Sequence, residues 1–310
     1  MKKRVIVIPV LCLIAFSFFV SAAVINSPED GEWYNSRSVN FSLGSDDPEN
    51  PSDFFYTKDA NPRWSKLCSR VKLCEKLVRL KEGENKIAVK SLDLVENEVI
   101  YEDEMIVYVD SKKPIIKKTW PEKGFVEEGE NFTIEFQEEN LETVAILYGT
   151  NELEMKNNEI LLDIDTDCED EDRNTKKCTI NLWNELSTYD GERIKYRFNI
   201  IDTAENSAVS RTYYLEVDQT LPYTEYFEDP IPSKQGSVAF ILDITEENFK
   251  EVYYTDDNDE RQTKKRMCNR LKDGRCYTKK RFSPGEYFLT IHVVDQAGNE
   301  ELEYTDFLVY

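Results

Sequence analysis

The sequence predicts an all-β protein, three β-sandwich domains in tandem behind a short N-terminal export segment. Three observations carry this reading. Cysteines fall as three close pairs, Cys68 with Cys74, Cys168 with Cys178 and Cys268 with Cys276. A Gly-Glu step follows each pair, at Gly83-Glu84, Gly191-Glu192 and Gly285-Glu286, and ten or eleven positions later comes an Asp-x-x-x-Asn box: Asp93 to Asn97, Asp202 to Asn206, Asp295 to Asn299. Between step and box, apolar and polar residues alternate, the period of a half-buried strand.

The first segment is an address. Lys2, Lys3 and Arg4 precede an apolar run from Val5 to Val20, and Val20 and Ala22 place small residues at the −3 and −1 positions of a cleavage site. Residues 1–22 therefore read as a secretory signal peptide. The alternative is an uncleaved anchor, because the apolar stretch from residue 5 to residue 25 is long enough to span a bilayer. Cys12 lacks the small neighbours that lipoprotein processing prefers, and reads as an ordinary apolar member of the segment. Under either reading the remainder lies outside the cytoplasm, with six cysteines left in an oxidising setting.

Composition then excludes whole classes of function. The chain has 310 residues, 61 acidic against 39 basic, for a formal net charge of −22. That charge argues against a general nucleic-acid binder, which needs a basic surface. A single histidine, His292, rules out a His-based metal site and leaves little for a catalytic triad; the alternation places it on the outer face of its strand. No Gly-x-Ser-x-Gly elbow, Walker loop or His-Glu-x-x-His pair occurs. The expectation is a non-enzyme.

The repeats extend beyond the cysteines. Strands Val39-Phe41-Leu43, Phe132-Ile134-Phe136 and Val238-Phe240-Leu242 open the copies, and Ile87-Val89, the Ile194 to Ile200 run and the Tyr287 to Val293 run lead to the boxes. Copies two and three share Glu138-Glu139-Asn140 and Glu246-Glu247-Asn248. Outside the leader no helical periodicity of convincing length is present. The expected domains are residues 23–111, 112–219 and 220–310, averaging 96 residues, toward the small end of the domain range.

Gly285-Glu-Tyr, the alternating strand and Asp295-Gln-Ala-Gly-Asn299 together resemble the closing strands of bacterial and archaeal immunoglobulin-like repeats. Val109-Asp110-Ser-Lys-Lys-Pro114 and Val217-Asp218-Gln-Thr-Leu-Pro222 resemble the linkers of tandem surface arrays. The resemblance implies fibronectin III or cadherin-like sandwiches of a cell-surface protein, used as adhesion modules, spacers or companions of secreted enzymes. Two departures stand out. Asp93-Leu-Val-Glu-Asn97 lacks the Ala-Gly, and Glu205 replaces the usual Gly, so another turn geometry is expected there.

The marked residues have physical readings of their own. The cysteine spacings of 6, 10 and 8 are even, which suits residues facing each other across a hairpin, and export makes three structural disulfides the expected chemistry. Asp and Asn of the boxes shape a turn. In a sandwich of this type the linker, the last hairpin and the loop after the second strand share one end. Asp110 would then approach Glu138, Glu139 and Asp202, while Asp218 would approach Glu246, Glu247 and Asp295, two oxygen-rich clusters of the kind calcium needs. No other cofactor is expected.

Ten basic residues and one acidic lie between Arg261 and Arg281, and Lys264, Lys265, Arg266, Arg270, Lys272 and Arg275 form a patch suited to an acidic partner or to a sister molecule. A solvated hairpin is the plainer reading of the same charges. Asn40-Phe-Ser42 and Asn131-Phe-Thr133 read as glycosylation sequons. Trp33, Trp64, Trp120 and Trp183 are candidates for stacking on sugars, although packing is the commoner fate of tryptophan. The functional expectation is an exported structural or adhesion array whose partner is another surface protein, a surface glycan or a copy of itself. The alternatives are a carbohydrate-binding accessory module and a non-catalytic subunit of a secreted enzyme complex. Membrane contact is expected only through an uncleaved leader.

Overall fold

The computed structural model describes residues 24–45, 51–59, 61, 63–94, 99–172 and 175–310, without the side chains of Asp93, Ile100 and Tyr101. The export segment and part of the Asp93 to Asn97 box lie outside the described residues. Among the described residues no helix is long and apolar enough to cross a membrane. The chain divides into two compact units, residues 1–112 and 113–310.

The first unit contains strands β1 (Val24–Ser27), β2 (Trp33–Tyr34), β3 (Ser38–Gly44), β4 (Ser52–Lys58), β5 (Ser65–Val71), β6 (Leu73–Arg79), β7 (Gly83–Asp93) and β8 (Val99–Val109). They form two sheets, in the orders β1-β3-β6 and β2-β8-β7-β4-β5. Strand β2 runs parallel to its neighbour β8, and the other described pairs are antiparallel. The alternation in β3 buries Val39, Phe41 and Leu43 and turns Ser38 and Asn40 to solvent. These side chains meet Ile87, Val89 and Val107 of the facing sheet in one core. Burial continues past that apolar stretch to Asn85 and Ser91. Asn85 tolerates it because its amide donates to the Lys81 and Gly83 carbonyls and accepts from Lys81 N–H.

The second unit begins with β9 (Ile115–Trp120), β10 (Phe125–Val126), β11 (Asn131–Gln137), β12 (Leu141–Gly149), helix α1 (Glu152–Asn157), β13 (Glu159–Leu161), β14 (Cys168–Asp172) and β15 (Thr175–Asn181). A 3₁₀ turn over Glu185–Tyr189 leads to β16 (Arg193–Asp202), β17 (Ser207–Val209) and β18 (Tyr213–Val217). The sheets are β14-β15-β11-β9 and β10-β18-β16-β12-β13, with β17 beside β16. Phe132, Ile134, Phe136, Ile194, Tyr196, Phe198 and Ile200 form their shared core, and Tyr196 reaches the Pro121 carbonyl with its hydroxyl.

The unit continues through β19 (Tyr223–Glu228), β20 (Ser237–Thr245), β21 (Phe249–Asp256), β22 (Lys265–Cys268), β23 (Arg275–Arg281), β24 (Gly285–Asp295) and β25 (Glu300–Val309). Here the sheet orders are β19-β20-β23 and β22-β21-β24-β25. Their core is separate, built on Val238, Phe240, Leu242, Leu289, Ile291 and Val293. The fold is thus all-β, with sheets packed face to face in immunoglobulin-like order.

Two expectations need correction. Helix α1 was not foreseen. One turn carries no apolar stripe, and its signal is the cap: Asn151 Oδ1 accepts from the N–H of Leu153 and Glu154, at 3.0 and 3.1 Å, while Met155 is buried. The cysteine pairs also differ from one another. Cys168 and Cys178 do face each other across the β14–β15 hairpin. Cys68 and Cys74 instead join β5 in one sheet to β6 in the other, and Cys268 and Cys276 join β22 to β23 in the same way. Even spacing cannot distinguish the two arrangements, because the chain changes sheet within the short connection.

Candidate functional site

A cluster of carboxylates within the second unit lies where β18 ends and the next sandwich begins. Asp218 follows β18, Glu246 follows β20, and Asp295 closes β24. One carboxylate oxygen from each lies within 4.8 Å of the others. Asparagines hold the group. Asn299 donates its backbone N–H to Asp295 Oδ1 at 2.8 Å and its side-chain amide to Asp295 Oδ2 at 2.7 Å. The same amide reaches the linker, at 2.8 Å from the Asp218 carbonyl and 3.2 Å from that of Thr220. Asn248 donates to Asp218 Oδ2 and, through its N–H, to Glu246 Oε1, both at 2.6 Å.

Burial raises the Glu246 carboxyl above its ordinary value, and the charges of Asp218, Asp295 and Glu247 push the same way. Asp295 is raised too, first by burial and then by Asp218, against the lowering effect of Asn299. Glu247, expected in the cluster, is exposed and acts on it only through its charge. Burial and mutual repulsion therefore oppose the ionisation of Glu246 and Asp295.

The preceding copy repeats the local bonds. Asp202 is fully buried and accepts from the N–H of Ala204 and Asn206 and from the Asn206 amide, at 2.8 to 2.9 Å. Glu138 accepts from Asn140 N–H at 2.8 Å, while Glu139 is exposed. In the first unit Asp110 accepts from Lys112 N–H at 3.0 Å. Glu205 does not change the turn geometry, contrary to the expectation: its φ of 64° matches the left-handed φ of 86° at Gly298. The surrounding Asp and Asn bonds impose the turn on a residue that disfavours it.

The other predicted residues fall on surfaces. Asn40 and Asn131 are exposed, with Phe41 and Phe132 buried beside them. In the basic patch, Lys264 lies 4.2 Å from the Tyr253 ring centroid and Lys265 lies 5.6 Å from that of Tyr254. Arg266 pairs with Glu251 at 2.6 Å, Arg275 grips Asp243 with two nitrogens at 2.5 and 2.8 Å, and Arg270 and Lys272 are exposed. His292 is on the outer face as expected, stacked on Tyr253 with centroids 4.4 Å apart and held by Glu300 and Thr255 at 2.9 and 3.2 Å. It is occupied as a packing and hydrogen-bonding group.

Of the four tryptophans, Trp33 stacks on Tyr108, Trp183 packs against a core, and Trp120 is half exposed and donates to Glu130. Trp64 lines a concavity of about 630 Å³ in the first unit, with Asp30, Asn61, Lys86, Glu102 and Glu104 around it and Ala88 on the same wall. Lys90 sits 4.1 Å from the Trp64 ring centroid. The spacing of sequence motifs carried no sign of the concavity, because it draws on four separate segments.

No protein-family model matches the chain, and neither does any curated protein. Solved structures do resemble it. The FN1–FN3 domains of chicken CNTN1 are 9% identical over 93% of this chain and 98% of that one, with a TM-score of 0.42. The fibronectin(III)-like modules of Clostridium thermocellum CbhA are 13% identical over 63% and 94%, with a TM-score of 0.37. A tetra-tandem repeat from the extending region of a large adhesion protein is 11% identical over 93% and 73%, with a TM-score of 0.30.

Proposed function

We propose that the protein is an exported, non-catalytic array of three immunoglobulin-like modules, residues 23–111, 112–219 and 220–310, that displays or spaces a binding surface outside the cell. The observation that carries this is the clasp at the Asp218 linker. Buried Asp and Asn residues that elsewhere serve chemistry are here spent on fixing one module's exit strand to the next module's loops. A spacer needs a defined angle at its joints, and Asn299 supplies two linker contacts for that purpose. Labelling intact producing cells with a membrane-impermeant amine reagent tests the reading. Modification of Lys272 and Lys279 on whole cells is expected; modification only after lysis would overturn it.

Calcium is the ligand the Asp218, Glu246 and Asp295 group would take, since all three donors are carboxylate oxygens within reach of one ion. Thermal unfolding with millimolar calcium and with chelator decides this, and coincident curves would remove calcium from the account. The Trp64 concavity favours the carbohydrate-binding alternative, because an aromatic wall flanked by carboxylates, an amide and an ammonium suits a neutral polyhydroxyl ring. Selective glycan-array binding that Trp64→Ala abolishes would support that alternative. An array without signal would leave the spacer reading alone.

A further inference from the structure

Among the described residues, the last strand of each of the first two sandwiches has a parallel strand on its outer edge, and that of the third has none. In the first unit β2 lies parallel to β8, with Tyr108 and Asp110 donating backbone N–H groups to the Glu32 and Tyr34 carbonyls at 3.0 Å. In the second, β10 lies parallel to β18 and Glu216 N–H reaches the Gly124 carbonyl at 2.9 Å. Among the described residues β25 pairs only with β24, and β19 touches it only near its start, where Thr224 donates its N–H to Glu301 Oε2 at 2.6 Å. The segment that would cover it reads Asp229-Pro230-Ile231-Pro232, and its two prolines have no N–H to give.

The uncovered edge is long and regular. All ten residues of β25 pair with β24 without a bulge, Val309 facing Gly285 as Val109 faces Gly83. Leu308 therefore takes the place of Tyr108. The peptide groups of Leu308, Asp306, Tyr304 and Leu302 turn away from β24, and the exposed side chains of Leu302, Tyr304 and Leu308 stand beside them. Such an edge is a template for another strand. Its charge selects the partner: β25 carries Glu300, Glu301, Glu303 and Asp306 and no basic residue.

The opposite edge of the same sheet has the complementary charge. Strand β22 begins after Lys264 and contains Lys265 and Arg266. The Arg266 carbonyl accepts from the Lys280 ammonium at 2.7 Å, a flexible donor that an incoming backbone N–H can replace. Direction fits as well. In the order β22-β21-β24-β25 every neighbour is antiparallel, so a sheet translated onto its own edge places β22 antiparallel to β25.

We propose that β22 of one copy of this chain adds to the free edge of β25 of another, joining third sandwiches head to tail. The contact is heterologous and extends to open chains. It deepens the surface-array reading by naming the partner, yet either can fail alone, since surface labelling reports location and not association. One strand pair is a small interface, so binding is weak, with dissociation constants between about 1 μM and 1 mM.

Sedimentation velocity of the exported chain over that concentration range tests the proposal. The average mass should rise with concentration at about 0.05 M salt and fall toward the monomer at about 0.5 M. Two charge-reversed chains, one with Lys264→Glu, Lys265→Glu and Arg266→Glu and the other with Glu303→Lys and Asp306→Lys, should each remain monomeric. Mixed together they should associate again, because β25 of the first chain and β22 of the second are both unaltered and keep their complementary charge. Tyr304→Lys, on an exposed face, should also break self-association. A wild-type chain monomeric throughout, association that survives both reversals, or a mixture that forms no pair would each overturn the proposal.

Discussion

Asn299 shows how one side chain can serve both a turn and a joint. Its amide satisfies Asp295 and two linker carbonyls at once. Asn299→Ala should destabilise the second unit by about 2–3 kcal/mol, the sum expected for lost bonds to a buried charge and to carbonyls. Denaturant unfolding measures this, and hydrogen exchange at the amides of residues 219–221 should quicken in parallel. Glu246 adds a pH signature. Its carboxyl is raised in the folded state, so its contribution is fully present below about pH 4.5 and is lost as pH rises through the raised value. Glu246→Gln should therefore leave stability unchanged at pH 4 and increase it at pH 7 in the absence of divalent ions. Curves that run parallel from pH 4 to pH 7 would refute the burial account. Glu205→Gly should stabilise by about 0.5–1 kcal/mol by relieving a left-handed residue. The aspartate and asparagine of the second and third boxes were legible as turn formers, but the Thr220 contact was not, since that partner lies 79 residues away.

At the level of elements, alternation was enough to find the buried strands. β3, β11, β16, β20 and β24 each bury every second residue, as their side-chain pattern predicts. Edge strands and connections were harder to read because tertiary contacts decide them. The Cys268–Cys276 bond spans the two sheets of the third sandwich, so it ties layers that otherwise meet only through side chains. Replacing both cysteines by alanine should cost about 2–3 kcal/mol. Calorimetry of the double variant checks the figure, and an unchanged Tm would mean the core alone fixes the layers. Helix α1 shows the opposite limit, a single turn set by Asn151 and Glu154 with no periodicity to reveal it.

For the molecule as a whole, net acidity concealed an ordered distribution of charge. Strand β22, with Lys265 and Arg266, and strand β25, whose charged residues are all acidic, occupy opposite edges of one sheet, an arrangement that a total of −22 cannot express. The three-fold repeat was legible because each copy keeps its Gly-Glu step, its cysteines and a closing strand. The free edge was not, because it depends on a covering strand that two copies form and the third replaces with Pro230 and Pro232. The proposed molecule is an exported array of disulfide-pinned sandwiches. Its most direct test is peptide mass mapping, without reduction, of the chain recovered from the surface and medium of the cells that make it. The account predicts the links Cys68–Cys74, Cys168–Cys178 and Cys268–Cys276 and no alkylatable thiol among these six. Recovery only from the cytoplasm with six free thiols, or a different pairing, would contradict it.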